Sequence, residues 1–303
     1  EPPVVLSLFQ EGKLDQATLS PDQWKNNADD PTMQKIARRE NGIANSYYYV
    51  GYNLRKPVFQ DPRVRKALTM LIDRTAIIHT IFNDNATPLT GPFHPLSPDN
   101  DATVSPIPCD PAAAVKLLND AGWRDTDNDG VLDKDGVPFE YNLMYRSGRP
   151  EHEQIAAYIQ QANRKVGIKT NLVVLEWSAF IDRINKQDYT ACILGWALSY
   201  SQDPYQLWHS SQAEPNMSNF VGYNDPVSDQ LIVQGRYTLD PVARHALYHQ
   251  LHQRIADAQP YTFLFVPKNM IVYAKRYEDV KYTLLGTAFE RYWVKPENQR
   301  PLP

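Results

Sequence analysis

Residues 139–196 alternate between the two-residue period of a strand and the 3.6-residue period of a helix. No other feature of the chain constrains its fold as much. "FEYNLMYR" (139–146) reads as a strand. "EHEQIAAYIQQANRKVG" (151–167) then sets Ile155, Tyr158, Ile159, Ala162 and Val166 on one helical face and stops at Gly167. "IKTNLVVLEW" is a second strand, "SAFIDRINKQ" a short helix and "YTACILGW" a third strand. Strands separated by helices need crossover connections, so an α/β lobe with parallel strands is expected. Ligands of such sheets gather beyond the carboxyl ends of the strands. Those ends are Arg146-Ser147, Glu176-Trp177 and the loop after Trp196.

The flanking chain is punctuated by Asp-Pro pairs. Asp61-Pro62, Asp110-Pro111 and Asp240-Pro241 each precede a helical pattern, with Asp as cap and Pro at the first helical position, and Asp225-Pro226 does so more weakly. "PRVRKALTMLIDRTAIIHTIF" carries Val64, Leu68, Leu71 and Ile72 at helical spacing, and "PAAAVKLLNDAG" is a short helix closed by Gly122. "PYTFLFVPKNMIVYAK" reads as a strand, a break at Pro267 and a second strand, and "KPENQRPLP" as a polar tail.

With 303 residues, either two lobes or one large domain is open, and 42% hydrophobic against 22% charged content suits a globular protein. A net charge of −4 with no basic block gives no support to nucleic-acid binding. The apolar runs are too short to span a bilayer. No signal peptide is visible, and an opening on Glu1 rather than Met points to a processed or truncated start. Cys192 is expected in a buried strand and Cys109 before a helix, which leaves the redox compartment open. There is no Gly-rich phosphate loop and no nucleophile elbow, and "HEQIA" lacks the second His of a zinc-protease helix, so an enzyme is not expected.

Three local features invite a site. "GWALSYSQDPYQLWHSS" (195–211) holds Trp196, Tyr200, Tyr205 and Trp208 among small and polar residues. It fits a ligand-lining loop and equally a surface loop pinned by buried aromatics. His245, His249 and His252 cluster on one side of the 241–258 helix, opposite Leu247, Leu251 and Ile255. A solvated face is the simpler reading there, because no Cys or carboxylate partner is evident. In "DTDNDGVLDKDG", Asp125, Asp127, Asp129, the Val131 carbonyl and Asp133 follow the order of a calcium loop. The twelfth position is Gly136 rather than Glu, and a β-hairpin turning at Asp135-Gly136 follows in place of a helix. Weak calcium binding and a solvated acidic turn both remain open; no other cofactor is called for.

Four segments, taken in order, carry a resemblance. They are "YYYVGYNLRKPVFQDPRVRKALTMLIDRTAII", "GWRDTDNDGVLDKDGVPFEYNL", "VGIKTNLVVLEWSAFIDRINKQDYTACILGWAL" continuing to "DPYQLWHSS", and "ARHALYHQLHQRIADAQPYTFLFV". The chain resembles the family 5 extracellular solute-binding proteins, the oligopeptide and dipeptide receptors of ABC importers, from about Val5 to Val294. The resemblance implies a periplasmic-binding-protein-like fold (type II, cluster C): a lobe with a mixed, largely parallel central sheet flanked by helices, plus remnants of a first lobe. Residues 1–52 would be first-lobe remnant, 53–269 the second, ligand-binding lobe, and 270–303 the return to the first. "YYYVGYNL" and "FLFVPKNM" would cross the hinge. It further implies closure of two lobes over a peptide or similar solute, delivery to ABC permease subunits, a monomer, and a periplasmic or extracellular place with a lipid anchor allowed. A sensory module and a receptor for sugar, nickel complexes or haem are the alternatives. The expected ligand-lining residues are Tyr47, Tyr49, Trp177, Gly195, Trp196, Ala197, Ser199, Tyr200, Asp203 and Tyr205. Where peptide-binding members pair an Asp with the ligand's α-ammonium group, Ser199 stands here, and Asp203 is the nearest acid.

Overall fold

The computed structural model describes residues 2–27, 29–198, 202–283, 286–287 and 291–299. The chain forms two compact units, residues 1–46 with 78–87 and 266–303, and residues 47–77 with 88–265. Residues 47–52 thus fall in the second unit, and residues 78–87 and 266–269 in the first.

The elements run α1 (Pro2–Gln10), β1 (Gln16–Thr18), α2 (Pro21–Asn27), α3 (Pro31–Ile36), β2 (Ala37–Ile43), β3 (Ser46–Tyr52), α4 (Pro62–Met70), α5 (Arg74–Phe82) and β4 (Ala86–Pro88). Next come α6 (Pro111–Asp120), β5 (Asp133–Lys134), β6 (Val137–Pro138), β7 (Glu140–Arg146), α7 (Pro150–Arg164), β8 (Lys169–Leu175), α8 (Trp177–Asn185) and β9 (Ala191–Ala197). Then follow α9 (Tyr205–Trp208), α10 (Pro226–Tyr237), α11 (Pro241–Ala258) and β10 (Tyr261–Ala274), with short paired strands beyond. Of the terminal segment, Pro296–Asn298 forms one 3₁₀ turn and residues 300–303 lie outside the described residues.

All four expected Asp-Pro caps form, and Asp30-Pro31 adds a fifth among the described residues. In each the carboxylate accepts a backbone N–H of the first helical turn, which would otherwise be unpaired. The 62–82 pattern is two helices rather than one: α4 ends at Met70, and Asp73 starts α5 by accepting the Ala76 N–H at 2.9 Å. Pro267 does not break its strand. Tyr261–Ala274 is continuous, because the pairing partner changes close to the proline. Tyr261–Phe265 pairs with β3, with an irregularity between Phe263 and Phe265, and Lys268–Ala274 pairs with β2. Pro267 offers its carbonyl to the Ala44 N–H at 2.8 Å and has no donor to lose.

The first unit packs Phe9, Leu19, Met33, Met270 and Val272 as its core. In the second unit β7 pairs in parallel with β8 and with β9, as the crossover pattern requires. The sheet as a whole is mixed, not largely parallel. β3 and β10 are antiparallel. β3 also opposes β9, since Asn53 N–H donates to Thr190 O at one end while Gly195 faces the Tyr47 carbonyl at the other. One sheet face buries Tyr52, Phe59, Tyr141 and Phe139, and the other Tyr47, Tyr49, Tyr261, Phe263 and Trp208. Cys192 is buried in β9 and Cys109 exposed, both as free thiols.

Candidate functional site

Register sets the site. Arg146 lies opposite Leu175, and Met144 opposite Cys192, so β7, β8 and β9 end along one edge of the second unit. There the Ser147 hydroxyl donates to Glu176 Oε1 at 2.7 Å, and its N–H donates to the Leu175 carbonyl. The Arg146 guanidinium stands 4.9 Å from the centre of the Trp177 ring. Trp177 is 44% exposed, a large share for a tryptophan, and its ring is backed by Phe180 at 6.0 Å in near-parallel planes. The edge therefore offers a flat aromatic surface, a guanidinium, a hydroxyl and a carboxylate: groups that hold a solute by stacking and hydrogen bonds. Next to it His152, in the first turn of α7, is buried edge-on against Tyr48, and burial pushes its imidazole down to about 4.

The expected residues separate by burial. Gly195 and Ala197 are exposed and Trp196 half-buried; its indole N–H donates to the Tyr261 hydroxyl at 3.3 Å, and its ring stacks on Phe220 at 5.2 Å. A side chain at Gly195 would meet the Tyr47 carbonyl at 2.8 Å, so glycine here permits the close approach of β9 to β3. Tyr47 and Tyr49 lie in the core, Tyr49 stacked on Tyr261 at 3.8 Å. Trp208 is buried against Tyr261 and Phe263, so it pins the loop rather than lining it. Ser199 and Tyr200 lie outside the described residues. Asp203 is exposed but engaged: Oδ1 accepts the Tyr205 N–H at 3.0 Å, and Oδ2 pairs with Arg236 Nε at 3.1 Å. Arg236 also lies 4.4 Å above the half-buried Tyr205 ring, which stacks on His209.

Arg146, Ser147 and Glu176 were legible as strand ends, whereas Phe220, Arg236 and Tyr261 reach the site from distant segments and carry no local signal. The arrangement next to the loop is not a hydrolytic triad. Ser210 donates to Asp229 rather than to an imidazole, and His209 Nδ1 accepts the Ser211 N–H, which puts the neutral ring's proton on Nε2, where a triad needs its base.

Two outlying features resolve differently. The histidines of α11 do not form a solvated face. His252 is fully buried, His245 pairs with Asp99 at 2.6 Å and His249 with the Pro98 carbonyl at 2.9 Å. The cause is the irregular segment 89–110, which lies over that side of the helix. In the acidic loop, carboxylate oxygens of Asp125, Asp127 and Asp133 lie within 4.8 Å of one another, a hard oxygen set that suits calcium. Asp129 turns to the Val131 N–H at 2.7 Å, and the hairpin turns at Asp135 and Gly136, both at positive φ.

Residues 1–218 match the family model described as bacterial extracellular solute-binding proteins, family 5 Middle. The oligopeptide-binding protein AppA of Bacillus subtilis (strain 168) is 35% identical over 258 residues, 83% of this chain and 47% of that protein. Heme-binding protein A of Haemophilus influenzae is 26% identical over 234 residues, 77% of this chain and 40% of that protein. The solved structure of AppA from Bacillus subtilis in complex with a nonapeptide has a TM-score of 0.86 and 30% identity, covering 97% of this chain and 59% of that one. The chain thus spans about half the length of the curated relatives it matches. Among the described residues no helix is long and apolar enough to cross a membrane.

Proposed function

The chain belongs to the bacterial extracellular solute-binding proteins of family 5, and from that membership we propose that it is the ligand-binding portion of a peptide receptor serving an ABC permease. The observation that carries this reading is the shared edge of β7, β8 and β9, where an exposed Trp177 under Arg146 adjoins Ser147 and Glu176. A peptide chain offers such an edge carbonyls and N–H groups at regular spacing, and side chains that rest on a flat ring. Trp177, Trp196, Gly195 and Ala197 are the contact residues we propose, with Tyr47 and Tyr49 as the packed layer behind them. Tyr205 extends the same surface, and Ser199 and Tyr200, outside the described residues, complete the contact set we propose. The receptor would act as a monomer outside the cytoplasmic membrane, periplasmic or lipid-anchored. A calcium ion at Asp125, Asp127 and Asp133 would staple the hairpin without touching the ligand.

One observation favours a second reading, a receptor for a solute without a free amine. Asp203, the one charged residue of 195–208, is held by Arg236, and the position of the family's ammonium-binding acid is Ser199. Mass spectrometry of small molecules that copurify with an intact receptor containing this chain tests both. Peptides are expected, and recovery of haem or a metal complex in their place overturns the peptide reading. Ser199→Asp should raise the preference for free-amine over N-acetylated peptides, a ratio read by calorimetry.

A further inference from the structure

His252 is fully buried, and both of its ring nitrogens have hydrogen-bond partners on the segment 90–101. Its Nδ1 accepts the Asp101 N–H at 3.0 Å, which leaves the proton on Nε2, 3.1 Å from the Thr90 hydroxyl. Gly91 presses on the ring so closely that any side chain there would overlap the imidazole. Phe93 meets the same ring edge-on at 6.1 Å and stacks on Tyr248 at 5.6 Å. Between Gly91 and Phe93, the Pro92 carbonyl accepts the side-chain amide of Gln202 at 3.0 Å. Gln202 is itself buried and is the residue before Asp203. A continuous path therefore runs from the helix through an irregular strap to the segment after β9.

We propose that His252 is a positioning residue for the ligand-binding edge: its neutral imidazole clasps residues 90–101, and through Pro92 and Gln202 that clasp fixes residues 202–208. The inference rests on the receptor reading above. Protonation at Nδ1 sets two donors, Nδ1–H and the Asp101 N–H, against each other, so the clasp opens in acid. Asp101 on the strap favours that protonation, and burial together with His249 on the same helix opposes it, holding the imidazole down to about 4. His245, paired with Asp99, holds the strap more firmly when charged and cannot account for release in acid.

The test is peptide affinity in an intact receptor, with a nonapeptide of uncharged side chains as probe. Gln can offer both an acceptor to Asp101 and a donor to Thr90, so His252→Gln should bind at pH 7 within about two-fold of wild type, while His252→Leu should lose about ten-fold. Wild-type affinity should hold from pH 7 to 5 and fall at least about two-fold by pH 4; His252→Gln should stay flat, with circular dichroism confirming that both remain folded. A His252→Gln profile that still follows wild type overturns the inference, as does a flat wild-type profile. Amide hydrogen exchange supplies a readout independent of ligand: in His252→Leu, protection of residues 90–104 and 202–208 should drop together. Undiminished protection at 202–208 sinks the inference even if peptides bind. Loss of protection in both segments with no peptide bound by any variant supports the clasp and refutes the receptor reading.

Discussion

Arg65 gives the most demanding test of how the second unit is held together. It is 5% exposed and, among the described residues, has no carboxylate within ion-pair distance. Instead it makes five contacts with four carbonyls, Phe59 and Gln60 on one side and Ala258 and Gln259 on the other. Burial pushes its guanidinium down to about 10, so it stays charged at neutral pH. Removing one buried partner exposes each carbonyl to a cost of about 1 kcal/mol or more. Arg65→Met leaves all four carbonyls without this donor and also removes the burial of a charge, which offsets part of the loss; a net cost of about 3 kcal/mol is expected. Arg65→Lys keeps the charge, but its three donors radiate from one atom and cannot span both turns, so about 2 kcal/mol is expected. Urea unfolding followed by tryptophan fluorescence measures both, since Trp123, Trp177, Trp196 and Trp208 all lie in this unit. If Arg65→Met costs less than about 1 kcal/mol, the carbonyls are satisfied by water and the clasp does not contribute as argued.

Gly195→Ala should destabilise the second unit by about 2 kcal/mol in the same assay, because the added methyl meets the Tyr47 backbone carbonyl and β3 and β9 must part. Asp225→Asn should cost about 1–2 kcal/mol, since that carboxylate caps α10 through Ser228 and takes Arg254 at 2.7 and 2.8 Å. The Arg254 guanidinium and the Ser228 donors hold the Asp225 carboxyl well below its usual range. Its contribution is therefore full above about pH 4 and lost as pH falls further, so the wild type and the variant should converge in acid melts. Calcium should raise the melting temperature of the wild type by a few degrees and leave Asp133→Asn unmoved; an equal rise in both would remove the ion from the acidic loop.

How much of this could be read in advance follows from how local each cause is. An Asp-Pro pair caps a helix through atoms two or three residues away, so these starts were visible, and Asp30-Pro31 follows the same rule. Parallel pairing of β7, β8 and β9 followed from the crossovers alone. Continuity through Pro267 did not, because it depends on which strand lies alongside at that position. Burial of His252 was hidden for a similar reason. Periodicity on α11 finds the side buried through Leu251 and Ile255, but it is silent about an irregular segment laid over the other side. In the loop 195–211, composition could not distinguish Trp196 from Trp208; one stacks on Phe220 at the edge, and the other is enclosed by Tyr223, Tyr261 and Phe263.

The irregular segments near the site share one physical solution, and it explains why two free thiols suffice. Disulfides are a common way to fix long loops, but this chain uses guanidinium forks aimed at carbonyls. Arg55 holds Ala213 and Phe220, Arg65 holds Phe59, Gln60, Ala258 and Gln259, and Arg74 holds Leu89, Ile107 and Phe263. Burial pulls all three guanidinium pKa values down, yet each stays charged at neutral pH while satisfying several backbone acceptors. A planar fork with five donors can span two segments at once, which a lysine cannot. The carboxylates are thereby left free to cap helices, and at the edge of β7, β8 and β9 the Arg146 guanidinium rests on the Trp177 ring beside the Ser147–Glu176 pair. Segments already tied to one another in this way leave less chain to order when a solute arrives, which keeps the cost of binding low.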